Sequence, residues 1–145
     1  MVLLLIQRNF EEVKCILEKN INELVQKYGI KLLYVFGSYA KGSNNKNSDI
    51  DIAVLVNDNY KPMYKLYMIG DLTSIFKRDD IDLVILNGAN PVLRHQVIKY
   101  GKIIYEESLE EKVIFEAKVL SVYMDMEPFR RTQMEFINER LSENY

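Results

Sequence analysis

Gly37-Ser38-Tyr39-Ala40-Lys41-Gly42-Ser43-Asn44-Asn45-Lys46-Asn47-Ser48-Asp49-Ile50-Asp51 is the stretch whose reading decides the fold. A glycine and a serine open it, ten mainly small or polar residues follow, and two aspartates flanking an isoleucine close it. Immediately before it, Leu32 to Phe36 is a short apolar run suited to a buried strand. Asp49 to Val56 alternates at first and reads as a second strand. Between them the residues from Gly37 to Ser48 suit a loop, with one helical turn around Tyr39 to Lys41.

The flanking sequence supplies elements to pack around these two strands. Asn9 suits a helix cap, with Glu11 and Glu12 at the positive end of the helix dipole. Phe10, Val13, Leu17, Ile21, Leu24 and Tyr28 recur at steps of three and four, and Gly29 suits a left-handed stop. Pro62 to Phe76 reads as a helix with Pro62 in its first turn, and Met63, Leu66, Ile69, Leu72 and Phe76 are expected on its inner face. The charged cluster Lys77-Arg78-Asp79-Asp80 then turns the chain into a third strand, Ile81 to Leu86. Asn90-Pro91 opens a further helix that Gly101 closes. Ile103 to Tyr105 suits a last short strand, and Ser108 with Glu111 makes a capping box for a helix to about Met124. Pro128 interrupts before a final amphipathic helix that fades out in Ser142 to Tyr145. With no internal repeat and no linker, residues 1–145 read as a single α/β (α+β) domain, a small sheet with helices packed against it.

Composition narrows the classes of function. A chain of 145 residues is long enough for a sizeable core and short for two domains. The run Val2-Leu3-Leu4-Leu5-Ile6 is too short to span a bilayer and lacks the flanks of a signal peptide, so it reads as a buried strand or helix start. The single cysteine, Cys15, forms no internal disulfide and reads as a small buried or half-buried side chain. These features fit a cytoplasmic protein. The net charge is −2, with 19 basic residues scattered among 21 acidic ones. A protein that tracks along DNA or RNA needs a basic face, so long nucleic acid is disfavoured as the main partner. A nucleotide needs only a few local charges.

The chemistry begins with Asp49 and Asp51. Residues two apart in a strand share a face, so the two carboxylates project together while Ile50 and Ile52 enter a core. Paired acids repel unless a cation lies between them, and an oxygen-only donor set favours magnesium or manganese. Asp82 lies between Ile81 and Leu83 in the third strand. If that strand neighbours the second, three carboxylates converge, enough for two ions about 3.5–4 Å apart in the arrangement used for in-line displacement at phosphorus. Gly37 lets the backbone approach a phosphate, and Ser38 adds a hydroxyl donor. Lys41 offers a charge, and Ser48 stands beside the acids within reach of a triphosphate. Taken singly, Gly37-Ser38 is only a turn and Asp49-Ile50-Asp51 a solvated strand edge. Their conjunction, in this order and spacing, is what points to a metal–triphosphate site.

Gly37-Ser38, ten residues and Asp49-Ile50-Asp51 together resemble the signature of the polymerase-β-type nucleotidyltransferase superfamily. Asp82-Leu83-Val84-Ile85-Leu86-Asn87, Leu93-Arg94, Gly101 to Glu106, Tyr123-Met124-Asp125 and Pro128 further resemble the minimal nucleotidyltransferases (MNT), specifically the MntA-type antitoxins of HEPN/MNT toxin–antitoxin pairs. Lys41 departs from the pattern, standing where an arginine is common and losing a bidentate phosphate grip. The resemblance implies a polymerase-β-like fold with a small mixed sheet. It also implies that Asp49 and Asp51 bind metal, that Asp82 is the third carboxylate near the acceptor hydroxyl, and that Gly37 and Ser38 hold the triphosphate. The implied reaction is attack of a hydroxyl on the α-phosphate of ATP with Mg2+, releasing pyrophosphate. The implied acceptor is a tyrosine of a HEPN RNase toxin, silenced by AMPylation within a hetero-oligomer. HEPN nucleases resemble one another in an arginine followed several residues later by a histidine. Here His95 directly follows Arg94, so the nuclease itself is not encoded.

Two alternatives remain at this stage. One is an antitoxin that neutralises by binding alone, and the other is transfer of a nucleotide to a small hydroxyl compound. Of the remaining polar residues, His95 reads as a packing or surface histidine and Arg130-Arg131 as a solvated helix face. Arg94 stands between contact with phosphate or partner and no such role.

Overall fold

Asn9 opens the fold by accepting a hydrogen bond from the Glu12 amide at 3.0 Å, capping α1 (Phe10–Tyr28). The structure is a computed structural model that describes residues 9–45 and 47–143. The apolar run Val2 to Ile6 and the end of the expected fade-out, Asn144 and Tyr145, lie outside the described residues. The stripe on α1 packs as its spacing predicts: Val13, Leu17, Leu24 and Tyr28 are buried, and Phe10 and Ile21 are partly buried against the same core. Gly29 stops the helix at φ 67°, and its amide bonds back to the Val25 carbonyl at 2.8 Å. Cys15 lies off the stripe and is exposed, correcting the expectation of a buried thiol.

Four strands follow at intervals: β1 (Ile30–Phe36), β2 (Ile50–Val56), β3 (Ile81–Ile85) and β4 (Lys102–Glu106). They form one mixed sheet in the order β3-β2-β1-β4. β1 runs antiparallel to both β2 and β4, while β2 and β3 are parallel. The parallel pair requires a crossover, which α3 (Tyr64–Phe76) provides. The remaining helices are α2 (Gly37–Lys41), α4 (Pro91–Tyr100), α5 (Leu109–Asp125) and α6 (Glu127–Glu143), with a 3-10 turn at Leu86–Gly88.

Each face of the sheet has its own apolar cluster. Val35, Ile50, Ile52, Val54 and Leu83 pack on one side with residues of α1 and α3. Leu32, Tyr34, Ala53, Leu86 and Val97 pack on the other, joined by Phe115 of α5. The alternation of strand side chains assigns Asp51 and Asp82 to this second face, out of register with the isoleucines around them. α3 begins at Tyr64 rather than Pro62, and it buries Met68, Leu72 and Phe76. Met63 and Leu66 are exposed at 49% and 61%, so the expected inner face was displaced toward Met68. Asn90 and Ser108 cap α4 and α5 through the amides of Val92 at 2.8 Å and Glu111 at 3.1 Å. Among the described residues, no helix is long and apolar enough to cross a membrane.

Candidate active site

The end of β1, the short α2 and the start of β2 meet where Phe36 pairs with Asp51 across the sheet. The chain then turns sharply into α2 through Gly37 at φ 69°, a backbone conformation that L side chains rarely adopt. Space excludes a side chain there as well: a methyl group on Gly37 would overlap the Asp51 carboxylate and stand 2.9 Å from its Cγ. The bare glycine backbone therefore sits directly against that acid. α2 closes through Gly42 at φ 76°, with the Ser43 amide bonding to the Ser38 carbonyl at 3.0 Å. Tyr39 and Ala40 of this turn are buried, and Ser38 is half-buried.

On the other side of β2 the parallel register sets Asp51 opposite Asp82. The condition attached to the third strand is met, and two acids share one patch of the sheet. Asp49 precedes β2 by one residue and is exposed, as is Asp82, while Asp51 is half-buried. Burial, followed by the Asp82 and Asp49 charges and a hydrogen bond with Asp82, pushes the Asp51 carboxyl up to about 6. Removing Asp51 from water favours its neutral form, and two neighbouring negative charges favour it further. A cation bound beside Asp51 would act in the opposite direction, favouring its charged form.

The donor set fits magnesium. It consists of carboxylate oxygens beside a backbone turn, on a strand end with two of the acids exposed. Among the described residues no group of three or more acidic, histidine or cysteine side chains stands arranged to hold a metal ion by itself. Magnesium needs none, because it retains waters and is bound by one or two carboxylates plus substrate phosphates.

Lys41 and Ser48 lie at the rim. Lys41 is exposed, with its ammonium 5.2 Å from the centre of the Tyr100 ring. The Ser48 hydroxyl accepts the Asn45 amide at 2.9 Å, and the Ser48 amide donates to the Asn45 carbonyl at 3.0 Å. Ser48 thus closes the loop on itself, which occupies one lone pair of its hydroxyl and leaves its proton to donate.

Two other polar residues are engaged in packing the fold. Arg94 Nε donates to the Leu86 carbonyl at 2.7 Å, and Nη2 bonds the Asn87 carbonyl. The structure therefore favours a structural role over the phosphate contact weighed from the sequence. His95 stacks on Tyr123 with ring centres 3.6 Å apart, and Arg130 covers the other contact of Tyr123 at 3.7 Å. Arg130 is consequently half-buried, correcting the expectation of a solvated face, while Arg131 is exposed and pairs with Glu127. Burial, Lys99 and Arg130 hold His95 below its ordinary value.

The residue that the sequence reading missed is Arg78. It donates to the Tyr39 hydroxyl at 2.6 Å, the Ser48 carbonyl at 2.7 Å and both carboxylate oxygens of Asp80. An arginine in a charged turn gives no local signal of such contacts.

Comparison with known proteins agrees with this geometry. Residues 19–110 match the family described as polymerase beta, nucleotidyltransferase. The protein adenylyltransferase MntA of Shewanella oneidensis is 34% identical over 125 residues, spanning 86% of this chain and 84% of the relative. That of Aphanizomenon flos-aquae is 35% identical over 77% of this chain and 81% of its own length. Among solved structures, a toxin–antitoxin crystal structure with AMP-PNP superposes with a TM-score of 0.73 at 32% identity, covering 83% of this chain and 97% of that one. The complex of tri-AMPylated Shewanella oneidensis HEPN toxin with MNT antitoxin gives 0.69 at 28% identity, covering 86% and 98%. A glycine turn seated on paired strand acids and this extent of similarity lead to one conclusion: the chain belongs to the polymerase-β-type nucleotidyltransferase family.

Proposed function

We propose that this chain is an antitoxin adenylyltransferase that moves AMP from ATP to a tyrosine hydroxyl of a cognate HEPN RNase toxin. The observation that carries this reading is the seating of the Gly37 backbone on Asp51, opposite Asp82. It brings the triphosphate-binding turn and the acidic strands into direct contact. Homology supports the acceptor: the relatives are protein adenylyltransferases, and similar chains were solved with a HEPN toxin.

In this reading Gly37 and Ser38 donate to the triphosphate, with Lys41 and Ser48 flanking it. Asp49 and Asp51 hold Mg2+, and Asp82 stands near the acceptor. Magnesium held there supplies positive charge against the triphosphate and the charge that develops at phosphorus. The tyrosine oxygen attacks the α-phosphorus, its proton passes to a carboxylate of the cluster, and the α–β bridging bond breaks to release pyrophosphate. Every other contribution of the chain is positioning, which dominates catalysis of this kind. α5 and α6 leave Val113, Ile114, Phe129, Met134 and Phe136 exposed, an apolar surface suited to docking the toxin.

The test is label transfer. With the cognate toxin, Mg2+ and ATP labelled at the α-phosphate, label should become bound to the toxin and map to tyrosine. Label at the γ-phosphate should leave as pyrophosphate. Transfer of the γ-label instead would make the chain a kinase and refute the proposal.

A further inference from the structure

Arg78 ties together three segments that carry the proposed site. The chain leaves α3 through Lys77, the one described non-glycine residue with positive φ, at 56°. This reversal brings Arg78 back toward α2. Its Nη1 donates to the Tyr39 hydroxyl at 2.6 Å, and Tyr39 follows Ser38 directly. Nη2 donates to the Ser48 carbonyl at 2.7 Å, and Ser48 precedes Asp49 directly. Nε donates to Asp80 Oδ1 at 2.7 Å while Nη2 also bonds Oδ2, and Asp80 lies two residues before Asp82. The backbone joins the same knot, since the Asp80 carbonyl accepts the Ile50 amide at 2.9 Å.

No bond in this set goes to Asp49, Asp51 or Asp82. The bonds go instead to the backbone carbonyl of Ser48, the residue before Asp49, and to the side chains of Tyr39 and Asp80, one and two positions from Ser38 and Asp82. The Arg78 side chain is only 19% exposed, which places it apart from surface ion pairs of little energetic weight. A planar guanidinium presents its donors in a fixed fork, whereas a lysine offers a compact point charge and cannot serve three separate partners in one plane.

We infer that Arg78 is a positioning residue, which fixes the distance between the triphosphate turn of α2 and the acidic strand ends while touching neither substrate nor metal. The inference rests on the proposed function and adds a specific role to it. Tyr39 is its counterpart: a buried ring whose hydroxyl exists to meet the guanidinium. Loss of either group should leave the core intact and let the loop from Gly42 to Asp49 drift relative to β2.

The test compares the wild-type chain with Arg78→Lys and Tyr39→Phe by four measurements. These are melting temperature, calorimetric titration with MgATP, affinity for the toxin, and hydrogen exchange of the amides between 43 and 49. Tyr39→Phe is the conservative probe, since it removes one oxygen from a packed ring. We expect it to melt within about 3 °C of wild type. It should weaken MgATP binding several-fold and speed exchange in the loop. Arg78→Lys should weaken MgATP binding by about tenfold, from the loss of several charge-assisted bonds. Affinity for the toxin should be unchanged in both. Wild-type MgATP binding and loop exchange in both variants would overturn the inference. So would parallel loss of MgATP and toxin affinity that tracks the unfolded fraction. A wild-type chain that binds MgATP yet never modifies the toxin would refute the proposed function alone, because titration and exchange still decide the role of Arg78.

Discussion

Asp51→Asn should make the metal-free protein more stable at neutral pH while ending its activity. The Asp51 carboxyl is raised from an ordinary 3.8 to about 6 by burial and by the neighbouring Asp82 and Asp49. A rise of this size corresponds to about 3 kcal/mol, at about 1.36 kcal/mol per pKa unit. Asp51 is only half-buried, and solvent screening reduces the realised effect to roughly 1 kcal/mol. The sign follows from linkage. Because the folded-state value is raised, the fold binds this proton more tightly than the unfolded chain does. The associated stability is present below about pH 4 and is lost as pH rises to about 6. At pH 7.5 the ionised carboxylate therefore destabilises the metal-free fold, and a neutral amide of the same shape removes that strain. Thermal and urea unfolding in EDTA, followed by circular dichroism from pH 4 to 8, should show the variant about 2–4 °C more stable at pH 7.5. The gap should close toward pH 4. Adding Mg2+ should raise the melting temperature of the wild type and not of the variant. A variant that is equally or less stable at pH 7.5 in EDTA would refute the charge clustering inferred at this site.

Other substitutions separate site from scaffold. Gly37→Ala places a methyl group into the Asp51 carboxylate at φ 69°, so it should lower stability by about 1–3 kcal/mol and abolish AMP transfer, measured by melting and by label incorporation. Gly42→Ala meets nothing within 4 Å although its φ is 76°, so it should cost only about 1 kcal/mol and keep measurable transfer. Arg94→Ala removes a donor from the Leu86 and Asn87 carbonyls, of which Leu86 keeps the Ala89 amide at 3.2 Å. It should destabilise the fold by about 1–3 kcal/mol with the KM for ATP unchanged; a KM raised tenfold would return Arg94 to the nucleotide site.

The parts of the fold that the sequence disclosed are those written in local chemistry. Asn9, Asn90 and Ser108 each cap a helix through an amide two or three residues away, and such signals need no tertiary knowledge. The register of Asp51 and Asp82 was legible because strand alternation among Ile50, Ile52, Ile81 and Leu83 dictates which way these two carboxylates face, whereas Asp49 lies one residue before the strand. The inner face of α3 was misjudged because Leu72 and Phe76 belong to two overlapping stripes, one through Leu66 and one through Met68. Only packing against α1 and the sheet selects the second. Cys15 deceived for the simpler reason that a small apolar residue beside a stripe need not be on it. Arg78 was invisible because its partners Tyr39 and Ser48 lie 39 and 30 residues away, and no periodicity encodes a long-range fork.

The most direct test of the whole account joins catalysis to neutralisation. The chain and its cognate HEPN toxin are combined with ATP and Mg2+, the toxin is weighed by intact-mass spectrometry, and its ribonuclease activity is assayed in parallel. Wild type should add the mass of one or more AMP groups to the toxin as RNA cleavage disappears. Asp49→Asn, folded and still able to bind the toxin, should add none and leave the toxin active once the two are separated. Lasting neutralisation by wild type without added AMP mass would contradict the account and reduce this protein to a binding antitoxin.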